Sequence, residues 1–165
     1  MLPVRGGQTG PMTTLRPAVP DDHARILAVM PAWWGGRDLR ALVPSLFLEH
    51  FAGTSLVAET DEGELAGFLV GFLSQDHPDE AYVHMIGVDP ARRGEGLGRR
   101  LHDAFADRVR ERGARRVRCV TSTVNESSVA FHTSIGFVVT GSDVPVTARG
   151  LEADAAGHVL MCRDL

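Results

Sequence analysis

The chain is poor in several things, and each shortage removes a class of explanation. Two cysteines, Cys119 and Cys162, in 165 residues are too few for a disulfide framework. Both fall in apparent strands, where a cysteine serves as a small buried hydrophobe; a catalytic thiol is the alternative, and no nucleophile–base pair stands out around either. No apolar run reaches membrane-spanning length, so no membrane partner is expected. The first dozen residues, rich in Gly, Pro and Thr, carry no apolar secretory core. They read as a flexible tail over 1–12, ahead of a single domain over 13–165, and a cytoplasmic compartment is the default. Net charge is low, −4 at pH 7, which argues against broad nucleic-acid binding. The P-loop spacing G-x-x-x-x-G-K-[ST] is missing. So are G-x-G-x-x-G and the acidic residue that follows it about 20 positions on in a dinucleotide site. No repeat, second-domain linker or metal-ligand cluster stands out, and no metal is expected.

What the chain does have is concentrated at Val88-Asp89-Pro90-Ala91-Arg92-Arg93-Gly94-Glu95-Gly96-Leu97-Gly98-Arg99-Arg100. An apolar run, Tyr82 to Val88, leads in, and an amphipathic helix from Leu97 to about Arg112 leads out. Gly94, Gly96 and Gly98 remove side chains where the backbone turns, so amide N–H groups can converge on an anion. The helix start adds its positive dipole end. Arg92, Arg93, Arg99 and Arg100 surround the loop, opposed only by Glu95. This is a device for a phosphorylated ligand; the plainer reading is a glycine-rich turn capped by a basic helix.

Periodicity and turn residues place the rest. A short strand at Thr14–Pro17 precedes a helix capped by Asp21 or Asp22 and running to about Met30. Helical spacing returns from Leu39 to His50, with Pro44 set to break it, kink it or begin its second piece. Strands follow at Ser55–Glu59, Leu65–Ser74 and Tyr82–Val88, with a hairpin turn over Asp61–Glu64. The basic helix carries Leu97, Leu101, Phe105 and Val109 at four-residue steps, one stripe for a sheet. Then come a strand at Arg116–Thr121, a short helix at Ser127–Ile135, a strand from Phe137 and a last strand at His158–Arg163. The order is β-α-α-β-β-β-α-β-α-β-β, a mixed α/β sheet flanked by helices.

The segment Arg93–Gly98, R-x-x-G-x-G after Val88-Asp89-Pro90, resembles the coenzyme A loop of the GNAT acetyltransferase superfamily. Downstream, Asn125–Phe137 reads N-x-x-S-x-x-F-H-x-x-x-G-F and resembles the second motif of that family. The resemblance covers about residues 14–163. It implies a largely antiparallel sheet of about seven strands with about four helices. In it the strands around Tyr82–Val88 and Arg116–Thr121 splay apart, exposing backbone to a pantetheine arm. It implies acetyl-CoA as co-substrate, transfer of acetyl to a primary amine by direct attack in a ternary complex, and a small-molecule or peptide acceptor. Homodimers are common in the family. Another acyl-CoA, a hydroxyl acceptor or a catalytically weak acyl-CoA sensor are the alternatives.

Acetyl transfer to an amine sets two problems. Deprotonating a lysine-like ammonium at pH 7 costs roughly 4–5 kcal/mol. The thioester oxygen also gains negative charge and a thiolate must leave. By resemblance, Arg93, Gly94, Glu95, Gly96, Leu97, Gly98 and Arg99 bind the pyrophosphate, chiefly through backbone amides. Ile86, Gly87 and Val88 pair with pantetheine, with the Val88 N–H polarising the thioester. Asn125 is the pantetheine-binding asparagine, or a helix N-cap, or both; Ser128 is a weaker contact. His132 stands where the family often places tyrosine. It is a general acid with a raised pKa, a hydrogen-bond donor while neutral, or a wall of the thiol site. Tyr82 and His84 share a strand face by alternation. His84 is the leading base, or a half-buried hydrogen-bonded histidine; Tyr82 shapes the pocket. Glu80 is a third candidate, or a solvated loop acid. Trp33, Trp34, Arg37 and Asp38 line the acceptor pocket; alternatively one Trp packs in the core and the other lies on the surface or at a dimer contact. Asp38 recognises a cation or caps the helix from Leu39.

Overall fold

A computed structural model describes residues 12–143 and 157–165. The expected N-terminal tail, apart from Met12, lies outside the described residues. The elements are β1 (Thr13–Pro17), α1 (Asp22–Trp33), a 3-10 turn (Arg40–Leu42), α2 (Leu46–His50), β2 (Leu56–Thr60), β3 (Leu65–Leu73) and β4 (Glu80–Val88). A second 3-10 turn (Pro90–Arg92), α3 (Leu97–Arg110), β5 (Arg116–Ser122), α4 (Glu126–Ser134), β6 (Val138–Asp143) and β7 (His158–Asp164) complete the described chain. The strands form one seven-stranded sheet in the order β1-β2-β3-β4-β5-β7-β6. All neighbours are antiparallel except β4 and β5.

Two buried layers sandwich the sheet. On one face the α3 stripe Leu97, Leu101, Phe105 and Val109 packs on Ala81, Val83, Val117 and Cys119. On the other, Ile26, Met30, Trp33 and Leu48 from the first two helices pack on Val57, Phe68 and Val70. Each fully buried side chain of this kind removes enough apolar surface from water to contribute about 1.5–3 kcal/mol. The partition follows the sequence periods, 3.6 in the helices and 2 in the strands.

Local chemistry departs from expectation in two places and chooses between alternatives in a third. Asp21 makes no capping bond. Asp22 instead turns its carboxylate back to accept from the Val19 N–H at 2.9 Å and from two arginines. The first helix runs three residues past Met30, through Pro31. Pro44 settles as the beginning of the second piece, its carbonyl accepting from the Phe47 N–H at 3.1 Å.

The site is positioned by a fork in the sheet. β4 and β5 pair only from Glu80↔Arg116 to Val83↔Cys119. Beyond that rung β4 continues to Val88 paired with β3 alone, and β5 continues to Ser122 paired with β7 alone. The cause is local. Val70 faces Met85 and Gly71 faces Val83, so His84 is an extra residue in the ladder. Such a bulge bends its strand and sharpens the twist, which turns the end of β4 away from β5.

Candidate active site

The glycine loop sits at the open end of the fork. Gly94 (φ 85°) and Gly96 (φ 78°) occupy the left-handed region, with nothing within 4 Å of where a Cβ would stand. The backbone there faces open space, and Gly96 caps α3. Gly98 differs from the expectation of three equivalent turn glycines. It lies inside the helix, where a Cβ would come 2.9 Å from the Phe131 ring. Its job is to let α3 and α4 touch.

The four arginines also divide. Arg93 donates to the Trp33 carbonyl at 2.8 Å, Arg99 to the Ser134 carbonyl at 2.9 Å, and Arg100 to Thr13 at 2.7 and 2.8 Å. These three staple the loop to the first helix, to α4 and to β1. The Arg92 side chain lines the cleft with no hydrogen bond or ion pair to protein among the described residues.

A cleft of about 740 Å3 runs from this loop along the parted edge of β4, a size usual for cofactor sites. It brings together Ile86, Gly87, Val88, Arg93, Gly94, Gly96, Leu97, Gly98, Arg99, Asn125, Ser128 and His132. Glu95 is exposed and does not line it. The Asp89 N–H donates to the Ala66 carbonyl on β3. By the alternation of strand hydrogen bonding, the N–H and C=O groups of Val88 and Ile86 therefore point to the edge no strand covers. Asn125 caps α4, its Oδ1 accepting from the Ser128 N–H at 3.2 Å and the Ser127 hydroxyl at 3.0 Å; its amide N–H2 has no hydrogen-bond partner among the described residues.

The adjacent tryptophans do different things. Trp33 is buried and stacks on Phe68 at 6.0 Å and 17°. Trp34 lines the cleft, and a Cβ at Gly87 would come 2.7 Å from its ring. That contact joins the first helix to the parted strand, and no sequence period reports it. Asp38 caps no α-helix; it accepts from the Arg40 N–H at 3.1 Å and pairs with the Arg40 guanidinium.

His132 is 5% exposed. Its Nδ1 lies 2.8 Å from the Ser128 carbonyl. A carbonyl only accepts, so Nδ1 carries the proton, and in the neutral ring Nε2 is a bare lone pair. That Nε2 is buried and unpartnered. Burial pushes the imidazole pKa down, against the Ser128 bond that pulls it up. The raised pKa expected of a general acid is not what these surroundings give. Behind it stands His102, edge-on at 5.2 Å and pushed down to about 3 by burial. Its Nε2 is likewise buried and unpartnered.

Tyr82 and His84 do not line the cleft; they lie on the sheet face covered by the first two helices. His84 Nε2 is 2.6 Å from the Leu42 carbonyl, so its proton sits on Nε2 and Nδ1 offers the lone pair. The ring stacks on Phe47 at 4.3 Å and 13°. Tyr82 stacks on Phe72 at 5.5 Å, and burial raises its phenol pKa. Glu80 is not a solvated loop acid. It opens β4, and Arg118 grips both oxygens at 2.7 and 2.8 Å. Those hydrogen bonds hold its carboxyl below the usual range, which makes it a weak base. Cys119, pushed up to about 12 by burial, and Cys162, also raised by burial, stay protonated at neutral pH. Among the described residues no three His, Cys, Asp or Glu side chains group as metal ligands, and no helix is long and apolar enough to cross a membrane.

Comparison with known proteins agrees with this geometry. The chain is 33% identical over 130 residues to the L-2,4-diaminobutyric acid acetyltransferase of Streptomyces coelicolor, covering 74% of this chain and 76% of that one. It is 34% identical over 90 residues to the enzyme of the same name from Nocardia farcinica, covering 54% of this chain and 46% of that one. It thus spans about half the length of the Nocardia relative. The crystal structure of Ard1 from Thermoplasma volcanium superposes with a TM-score of 0.75 at 26% identity, over 93% of this chain and 97% of that one. A model of the acetyltransferase (GNAT) family matches residues 24–137, more than half the length, and the chain belongs to that family.

Proposed function

We propose that this chain transfers acetyl from acetyl-CoA to a primary amine by direct attack. The observation that carries the reading is the fork. It leaves the Ile86–Val88 edge of β4 without a strand partner among the described residues, with the glycine loop beyond its end and His84 at the bulge before it. Backbone amides around Gly94–Gly98, with Arg92, take the diphosphate. Pantetheine lies along Ile86–Val88, with the Asn125 amide and Ser128 beside it. The Val88 N–H polarises the thioester oxygen, a fixed donor aimed where negative charge develops. His84 Nδ1 takes the ammonium proton of the acceptor. The freed nitrogen lone pair then forms the N–C bond, the C–S bond breaks, and its electron pair leaves on sulfur. The proton shed by the nitrogen ends on that sulfur, giving an amide and coenzyme A thiol. Tyr82, kept a neutral phenol by burial, shapes the acceptor side. His132 is a neutral wall of the thiol site, its one ring proton held on the Ser128 carbonyl.

The test is release of free thiol from acetyl-CoA across a panel of amines, with the acetylated amine identified by mass. The sequence contains no lysine, so acetyl found on a peptide acceptor cannot be confused with modified lysines of the enzyme itself. Thiol release that no amine stimulates overturns the reading.

Two variants separate the histidines. His84→Ala is expected to lower kcat by about 100-fold or more with little change in coenzyme A affinity, and to abolish the acidic-limb inflection in the kcat/KM–pH profile. Retention of that inflection removes His84 as the base. His132→Phe is expected to lower kcat by less than about tenfold, since the ring volume is kept and one hydrogen bond of about 1 kcal/mol is lost. A loss above about 100-fold, with a displaced alkaline limb, would restore it as the acid.

A further inference from the structure

A second cavity, of about 340 Å3, opens on the acceptor face and is lined by Phe72, Ser74, His77, Glu80, Tyr82 and Arg118. Of its lining, the proposed transfer uses only Tyr82. Its polar groups are paired on one side and unspent on the other. Arg118 donates from Nε and Nη2 to Glu80, which leaves Nη1 and its two hydrogens without a partner among the described residues. A guanidinium has five N–H donors in a planar fork, so this one can hold a second carboxylate on its free edge. Tyr82 Oη makes no hydrogen bond among the described residues, and burial keeps it a donor. The Ser74 hydroxyl, already accepting from the His77 N–H at 3.1 Å, completes the rim. Glu80, with an 11% exposed side chain, has further lone pairs for an ammonium. Other charges close by are Arg116, 3.8 Å from Glu80, and Asp164, 4.0 Å from Arg116. Carboxylate and guanidinium side by side complement a zwitterion better than a lone anion or cation.

The spacing fits the same idea. Tyr82 and Arg118 face each other across β4 and β5, and the last paired rung is one residue further on. From the Tyr82 rung to His84 is two residues along a strand, about 6–7 Å. That is the reach of a short alkyl side chain.

We propose that this cavity holds the α-ammonium and α-carboxylate of an amino acid whose side-chain amine is the group acetylated. The inference rests on the acetyltransferase reading and names its acceptor class as diamino acids. The carboxylate sits on Arg118 Nη1 and Tyr82 Oη. The α-ammonium sits on Glu80, and the terminal amine reaches the fork beside His84. The transfer itself is the one written above, with the terminal nitrogen as nucleophile.

The test compares L-2,4-diaminobutyrate, L-ornithine and L-lysine with 1,3-diaminopropane, putrescine and cadaverine, each diamine lacking only its partner's carboxylate. The wild-type chain is expected to favour at least one diamino acid over its diamine by about 30-fold in kcat/KM, the worth of a charged hydrogen-bonded group. Arg118→Met should erase that preference, chiefly through KM, and leave the diamine within about threefold. Because that variant strips Glu80 of its partner, Glu80→Gln/Arg118→Met is measured beside it, removing both charges together, and should show the same loss of preference. Transfer to diamines and diamino acids alike in the wild type overturns the inference and leaves the acetyltransferase reading intact. An equal fall for both acceptors in the two variants overturns it as well, since a merely structural pair would act that way. Absence of transfer to every amine overturns both.

Discussion

Gly96→Glu is expected to weaken coenzyme A binding by about 100-fold or more while the chain still unfolds as one cooperative unit. The residue has φ 78°, and nothing lies within 4 Å of the Cβ it would gain. No overpacking follows, and the folded state loses only the left-handed strain of an L-residue, about 1–2 kcal/mol. The new carboxylate, however, hangs in the mouth of the glycine loop, at the start of α3, where the diphosphate is proposed to sit. At about 5 Å and an effective dielectric near 20, each like-charge pair costs about 3 kcal/mol, and 100-fold in affinity is about 2.7 kcal/mol. Gly96→Ala separates the two effects. It should show the same fall in melting temperature and less than a tenfold loss of affinity. Calorimetric titration with coenzyme A beside thermal melts reads both. Gly96→Glu binding coenzyme A as the wild type does would remove the diphosphate from this loop.

That experiment turns on a distinction between glycines that the sequence does not print. Gly94, Gly96 and Gly98 look alike as letters, and the first two do what a turn asks of them. The third is fixed by how close α3 lies to α4, and so by Phe131, a partner 33 positions away in the chain. The element order was legible because each element carries its own period. That β4 and β5 are neighbours that splay apart came through the family resemblance, since no local pattern reports a strand pairing across an intervening helix; their parallel direction is a finding of the structure. The arginines teach the same lesson. Four cations around a loop are visible in the sequence, but whether each is spent on a carbonyl depends on where Trp33, Ser134 and Thr13 end up. Alternation correctly put Tyr82 and His84 on one face, yet it hid the bulge that makes His84 the extra residue. It hid Arg118 as well, which lies 38 residues from Glu80 in the chain and meets it only because β4 and β5 run side by side. Local rules reached the scaffold and the loop; the acceptor side is built from long-range meetings.

One such meeting stabilises the first helix, whose end lines the cleft. Asp22→Ala is expected to lower the melting temperature by roughly 5–10 °C at pH 7. Asp22 is 1% exposed. Its oxygens accept from Arg16 at 2.7 and 2.8 Å, Arg25 at 2.9 Å and the Val19 N–H at 2.9 Å. Glu59 on β2 closes the cluster, gripped by Arg16 at 2.7 and 2.8 Å and by Arg25 at 2.6 Å. Breaking a buried pair costs 3–5 kcal/mol, but both arginines are about one-third exposed, and water softens their loss. Roughly 2–3 kcal/mol remains, at 2–4 °C per kcal/mol for a chain of this size. Burial alone would raise the Asp22 pKa; the bonds from Arg16, Val19 and Arg25 outweigh it and hold the carboxyl below its ordinary value. Hydrogen bonds from Arg16 and Arg25 take Glu59 down to about 2. Folded pKa values below the unfolded ones mean that the unfolded chain binds protons first as pH falls. The contribution is therefore complete above about pH 4–5, the unfolded carboxylate range, and is lost on the way down to about pH 2. The wild-type melting temperature should fall steeply across that window and the variant's less so, the two curves converging at its acid end. An Asp22→Ala chain that melts with the wild type at pH 7 would show that the arginines find water as good a partner. The first helix, and the Trp33 carbonyl that ties Arg93 and its glycine loop to that helix, would then owe their position to the apolar packing of Ile26, Met30 and Trp33 alone.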